Sequence, residues 1–318
     1  MKITVAGCGR WGTFIAWYLD RTGHDVTLYG RSSSENMKRL ISTRKNDYLE
    51  LTATVKLSME ISSLSDAEAI VISVGAQGLR DLCTKIAEEG IENKIFILCM
   101  KGLEIGTGCR LSEIAAETLH PSNRIAVWLG PGHVQEFYNG IPNCMVIDSE
   151  DEETKHYLVK ELSGELIRFY FGTDIIGNEI GAAAKNVIGI AAGMLDGAGV
   201  SSLKGALMAR GAREIARLIK AMGGSELSAY GLCHLGDYEA TVFSKHSHNR
   251  LFGEAFIKGE DFKSLAEGYY TVRALVEMGE KYGVDLPICN AVYTILYEDA
   301  SPKETLDTLF RRNTKSEF

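Results

Sequence analysis

Near the start of the chain, Gly7-Cys8-Gly9-Arg10-Trp11-Gly12 spells G-x-G-x-x-G. In a strand-to-helix turn, the first glycine makes the tight bend and the second lets backbone approach a pyrophosphate. The third lets helix and strand pack closely, and the helix start turns free N–H groups toward the phosphates. The flanks supply that context: Lys2–Ala6 reads as a strand, Trp11–Arg21 as a helix and Asp25–Tyr29 as a second strand. The second strand runs into Tyr29-Gly30-Arg31-Ser32-Ser33-Ser34, where an NAD site usually places an acidic residue against the ribose. Here none occurs before Glu35. Arg31 and the serine hydroxyls better suit a 2′-phosphate, so NADP(H) is the expected coenzyme, with NAD(H) possible. The competing reading is a solvent-facing arginine beside loosely held NAD.

Other reactive constellations are thin. His246-x-His248 has no companion Cys, His or carboxylate set at ligand spacing, so no metal is expected. No serine or cysteine is paired with a base as a nucleophile would be. Seven cysteines are dispersed without a C-x-x-C pair, which reads as reduced core thiols in a cytoplasmic protein.

The elements that must position these residues follow from the apolar pattern. With 318 residues, 45% hydrophobic and 24% charged, the chain is globular and about two domains long. Its net charge of −8 gives no basic face for nucleic acid, and no apolar stretch is long enough for membrane insertion. Ala69–Val74, Lys94–Met100 and Arg124–Trp128 add near-continuous apolar runs, as strands buried on both faces require. Helical patterns at Ser34–Thr43 and Leu79–Glu89 alternate with them, predicting a Rossmann-like, doubly wound α/β sheet. Cys144–Asp148 and Arg168–Phe171 read as further strands around a charged helix from Asp151 to Ser163. From Glu179 onward the pattern is almost entirely helical. We therefore expect a dinucleotide-binding domain over 1–177 and an all-helical substrate domain over 178–318, ending in a solvated Arg311–Lys315 tail.

Later motifs carry a family resemblance. Lys101-Gly102-Leu103-Glu104, Gly130-Pro131-Gly132-His133, Gly140-Ile141-Pro142, Ala184-Lys185-Asn186-Val187, Gly236-Asp237, Asn249-Arg250-Leu251-Phe252-Gly253, Ala266-Glu267-Gly268 and Leu286-Pro287-Ile288 occur in order. Together they resemble the NAD(P)-dependent glycerol-3-phosphate dehydrogenases. The resemblance implies reversible reduction of dihydroxyacetone phosphate, a small phosphorylated substrate, to sn-glycerol 3-phosphate for phospholipid synthesis. It also implies a cytoplasmic homodimer.

Residue by residue, the resemblance makes Lys185 the general acid/base, with Lys101 nearby and Asp237 orienting it or holding a hydroxyl. A lone lysine in an Ala-rich helix would otherwise read as a snorkelling surface residue, and Gly236-Asp237 as a helix N-cap. Thr241 shares a face with Asp237 if that segment is helical. Asp196, eleven residues after Lys185, returns to nearly the same helix face. Lys101, Gly130, Gly132, Thr241, Ser247, His248, Asn249 and Arg250 are the implied substrate contacts, with the 247–250 segment holding phosphate as a loop. Gly7, Gly9, Arg10, Trp11, Gly12, Arg31, Lys101, Val134, His248 and Glu267 are the implied coenzyme contacts, Glu267 alternatively flanking a helix. His133 reads as a loop-packing residue.

Two positions depart from the family pattern. His248 stands where arginine is usual, and it lacks the bidentate fork and the fixed charge. Gly132 stands where Ser or Thr is common. These departures leave open another phosphorylated ketose or a hydroxy acid as substrate. The remaining alternative is a non-catalytic NADP(H)-sensing regulator.

Overall fold

The computed structural model describes residues 1–314, 316 and 317; Lys315, at the end of the expected solvated tail, lies outside the described residues. The chain opens with β1 (Lys2–Ala6), α1 (Arg10–Arg21), β2 (Asp25–Tyr29), α2 (Glu35–Thr43), β3 (Lys56–Ser58), β4 (Ala69–Ile72) and α3 (Leu79–Glu88). It continues through β5 (Ile95–Leu98), α4 (Leu111–Thr118), β6 (Arg124–Leu129), α5 (Val134–Tyr138), β7 (Asn143–Asp148), α6 (Glu152–Leu162) and β8 (Ile167–Phe171). The strands form one sheet in the order β3-β2-β1-β4-β5-β6-β7-β8. β4 and β5 are buried at every position, as strands covered on both faces must be. The order reverses between β1 and β4, and in open α/β sheets ligands bind beyond the carboxyl ends of strands at such a point.

The sheet is parallel from β3 to β6, and β7 then runs antiparallel to β6. The doubly wound pattern holds from β3 to β6, and the turn into β7 adds one reversal to it. The only helix in the connection, α5, has five residues, about 7 Å of rise at 1.5 Å per residue. That cannot carry the chain back along a six-residue strand of about 20 Å. β8 pairs parallel to β7 through the longer α6 crossover, which Asp151 caps by accepting from Thr154 N.

Among the described residues, six more α-helices follow: α7 (Ile175–Gly197), α8 (Lys204–Ala221), α9 (His248–Lys258), α10 (Glu267–Tyr282), α11 (Pro287–Tyr297) and α12 (Pro302–Phe310). Gly189, Gly193 and Gly197 line one face of α7 at four-residue spacing, where α9 needs the room. A Cβ on Gly193 would lie 1.9 Å from Arg250 O, and one on Gly253 would lie 2.1 Å from Ile190 O. The Ala and Gly density of this helix is thus the requirement of a close helix pair.

The chain divides into two compact units. The first comprises Met1–Lys101 and Cys109–Glu179; the second comprises Gly102–Gly108 and the residues from Ile180 onward. The first has an aromatic core in which Tyr18 donates to Leu162 O at 2.7 Å and Trp128 packs edge-on against Phe169. Among the described residues, no helix is long and apolar enough to cross a membrane.

Candidate active site

In the first unit the glycine turn has the shape a dinucleotide requires. Gly7 has φ +124°, and a Cβ there would lie 2.1 Å from Ser73 O, at the end of β4. A Cβ on Gly12 would lie 1.9 Å from Gly7 O, whereas one on Gly9 would meet nothing within 4 Å. The turn is therefore closed on its protein side and open beside Gly9. No side chain caps the start of α1, so its first N–H groups are left to an anion. These features fit a pyrophosphate. Arg10 lies over the Tyr48 ring and Trp11 packs against Phe14 and Phe137.

At the end of β2, the exposed Arg31 guanidinium makes no hydrogen bond or ion pair among the described residues, while Glu35 is paired with Lys38 at 2.6 Å. Ser34 is committed as the cap of α2 and also contacts the Cys8 sulfur. Lys101 donates to Gly130 O at 2.6 Å. Gly132 has φ +148°, and a Cβ there would lie 2.2 Å from the Phe137 ring. That contact gives the departure at Gly132 a physical reason: Phe137 fills the place of a side chain. Val134 is buried at the start of α5, and His133 is buried just before it.

In the second unit, α7 presents Lys185, which is 8% exposed. Its Nζ donates to Thr241 Oγ1 at 2.8 Å and lies 3.2 Å from Asp237 Oδ2. Thr241 in turn donates to the Asp237 carbonyl at 2.7 Å. Asp237 closes a 3-10 turn (Leu235–Asp237) and Thr241 lies in a π-type turn (Glu239–Phe243), so both side chains meet one amino group without a regular helix. Asp237 is not the cap of an α-helix. The Lys185 amino group is thus a buried N–H donor held between a hydroxyl and a carboxylate oxygen.

Asp196 lies inside α7, on the face expected, but belongs to another network. It accepts from Lys204 Nζ at 2.6 Å, Ser201 Oγ at 2.6 Å and Arg250 Nη1 at 2.8 Å. Burial pushes its carboxyl up, and these hydrogen bonds outweigh burial to hold it below the usual carboxylate range.

The 247–250 segment is not a loop. Ser247 caps α9 by accepting from Arg250 N, and His248, Asn249 and Arg250 form the first turn. The helix begins here because a serine suits the cap position and Gly253 allows α9 to seat on α7. Arg250 is already engaged within the protein: besides Asp196 it contacts Glu254 and Ser244 O. His248 Nδ1 lies 3.3 Å from Leu265 O, and its ring stands edge-on to Phe262. Asn249 donates to Asn186 Oδ1 and accepts from Gly268 N, joining α7, α9 and α10; Glu267 occupies the first turn of α10. No group of three or more His, Cys, Asp or Glu side chains among the described residues could hold a metal ion.

Sequence reasoning missed His234 and Tyr238, which are fully buried beside Asp237. Their signal was a His-x-x-x-Tyr spacing straddling Gly236-Asp237, which brings two polar side chains together across one helical turn.

The glycine turn at the switch point of a largely parallel sheet, followed by a helical unit, defines the Rossmann-like dinucleotide-binding proteins of the dehydrogenase type. Residues 2–155 match the model of the NAD-dependent glycerol-3-phosphate dehydrogenase N-terminus, and residues 174–307 match that of the C-terminus. The chain is 34% identical to a glycerol-3-phosphate dehydrogenase (NAD(P)+) of Prosthecochloris aestuarii, covering 100% of both chains. It is 35% identical to one of Desulfitobacterium hafniense, covering 100% of this chain and 93% of that one. The crystal structure of the Coxiella burnetii glycerol-3-phosphate dehydrogenase superposes with a TM-score of 0.91 at 27% identity, covering 98% of this chain and 99% of that one. The chain belongs to the NAD(P)-dependent glycerol-3-phosphate dehydrogenase family.

Proposed function

We propose that this chain reversibly reduces dihydroxyacetone phosphate to sn-glycerol 3-phosphate, with Lys185 as proton donor and acceptor. The observation that carries the residue assignment is the buried Lys185 amino group held by Thr241 Oγ1 and Asp237 Oδ2. When bound, the nicotinamide supplies the hydride to C2 of the ketone. Lys185 gives its Nζ proton to the ketone oxygen as negative charge develops there, and takes one back in the reverse direction. Asp237 favours the ammonium form and Thr241 fixes the direction of the N–H bonds. The first turn of α9, a helix N-terminus capped by Ser247, suits the substrate phosphate. Arg250 contributes mainly by fixing that turn, and Lys101 is a further cation for the substrate. Gly130, Gly132 and Asn249 are assigned to the substrate by family resemblance alone.

The coenzyme reading assigns Gly7, Gly9, Arg10, Trp11 and Gly12 to the pyrophosphate and Arg31 to a 2′-phosphate. Val134 and Glu267 serve the nicotinamide end by family resemblance. The unengaged Arg31 beside the ion-paired Glu35 supports NADP(H) over NAD(H). We further assign the product to phospholipid synthesis in the cytoplasm, and the enzyme to a homodimer. The two domains are a dinucleotide-binding 1–177 and a substrate-binding 178–318.

The test is coenzyme oxidation with dihydroxyacetone phosphate and a panel of other keto compounds from pH 6 to 8. The expected result is turnover confined to dihydroxyacetone phosphate. Turnover only with another ketose or a keto acid would displace the substrate, and none at all would favour a sensor.

A further inference from the structure

Beside the lysine lies a buried polar pair that the chemistry above does not use. His234 Nδ1 is 2.8 Å from the Gly181 carbonyl, which can only accept, so Nδ1 carries the hydrogen. Nε2 is then a bare lone pair, and the Tyr238 hydroxyl donates to it at 2.7 Å. The imidazole is thereby fixed as one neutral tautomer, and burial pushes its pKa down to about 4.

Both residues are tied to the Lys185 cluster. In the continuous helix α7 the Gly181 carbonyl also accepts the backbone N–H of Lys185, one turn later. His234 O accepts Asp237 N at 3.0 Å, and Tyr238 O accepts Thr241 N at 3.1 Å. A Cβ on Gly181 would lie 2.9 Å from His234 Cβ, so the imidazole is seated hard against this turn. The charged groups felt by His234 are Asp237 and Lys185. Tyr238 feels Glu214 and Cys289, and Glu214 itself accepts from Ile288 N and Cys289 N at the start of α11.

We propose that His234 and Tyr238 are positioning residues: their hydrogen bonds bracket Asp237 and Thr241 and lock that bracket to the helix turn bearing Lys185. They thereby govern proton transfer while their buried side chains touch neither substrate nor coenzyme. The inference rests on Lys185 being the proton donor.

The experiment compares Tyr238→Phe, His234→Leu and His234→Asn with Lys185→Ala in the full-length enzyme. The readouts are kcat and KM against pH at saturating NADPH, coenzyme affinity by nicotinamide fluorescence, and Tm. Tyr238→Phe is expected to lower kcat ~10-fold and His234→Leu ~100-fold, the scale of a small misplacement of a catalytic group. The basic limb of the reductive kcat profile should move to lower pH, because a loosened Asp237 holds the lysine proton less firmly, with coenzyme affinity unchanged. His234→Asn, whose amide can still donate to Gly181, should recover most of the loss. Variants that lower Tm but keep the kcat profile of the parent would overturn the proposal. If His234→Leu does not fold, Tyr238→Phe, lacking one oxygen, decides by the same criteria. Normal turnover by Lys185→Ala would instead remove the proton-donor reading beneath it; an inactive Lys185→Ala beside an unaffected Tyr238→Phe would sink the positioning inference alone.

Discussion

Lys185 Nζ lies 3.2 Å from Asp237 Oδ2, and the aspartate is 1% exposed. Two opposite charges so removed from water depend on each other. Removing one partner strands the other, at a cost of about 3–5 kcal/mol in comparable buried pairs.

Lys185→Ala should therefore reduce kcat by ~10²–10⁴-fold, the usual contribution of a positioned acid. Coenzyme affinity, measured by fluorescence titration, should remain that of the parent. Loss of coenzyme binding would mean that the lysine supports the fold instead.

The glycine turn separates two effects within six residues. Gly12→Ala places a Cβ 1.9 Å from Gly7 O, so both Tm and coenzyme affinity should fall. Gly9→Ala meets no protein atom within 4 Å, so its Tm should match the parent while the coenzyme KM rises by ~10-fold or more. An unchanged KM would place the pyrophosphate elsewhere.

The proposed preference for NADP(H) rests on Arg31. Arg31→Ala should lower kcat/KM with NADPH by ~10–100-fold, the worth of one charge-assisted phosphate contact, and leave NADH nearly unaffected. Parallel kinetics with the two coenzymes checks this, and equal losses would contradict it.

His234 also links stability to pH. It is held neutral with a pKa near 4, against about 6.5 in an unfolded chain, so only the unfolded state binds its proton between those values. Its contribution is complete above pH 6.5 and is lost as pH falls toward 4, by up to about 3 kcal/mol. The Tm advantage of the parent over His234→Leu should shrink as pH is lowered from 7 to 4.5. A constant gap would show that the imidazole is not kept neutral.

How much of this was legible in the sequence varied with the physics of each element. β1, β2, β4, β5 and β6 announced themselves because burial on both faces leaves an unbroken apolar run. β3 did not, since Lys56-Leu57-Ser58 is too short and too polar to carry a pattern. The reversal at β7 was hidden because strand direction is decided by the connection and leaves no mark on the strand. Lys185, Asp237 and Thr241 were found through motif resemblance, but their convergence depends on a π-type turn that periodicity does not encode. Ser247, His248, Asn249 and Arg250 read as a loop, because the packing of Gly253 against Ile190 that seats their helix is a tertiary event.

The seven residues Gly102–Gly108, grouped with the second unit, have a consequence for anyone taking the enzyme apart. Gly108 lies against Met278, where a Cβ would come within 3.2 Å of the methionine side chain. The polypeptide thus passes between units at 101/102, at 108/109 and at 179/180. No single cut in the gene lifts either unit out whole. A chimera that borrows a relative's nucleotide-binding half must also carry over, or deliberately keep, this small patch of the other half. Modular exchange along the units of this chain is a graft with three seams, and recombination at one breakpoint would leave a mismatched insert in the helical partner.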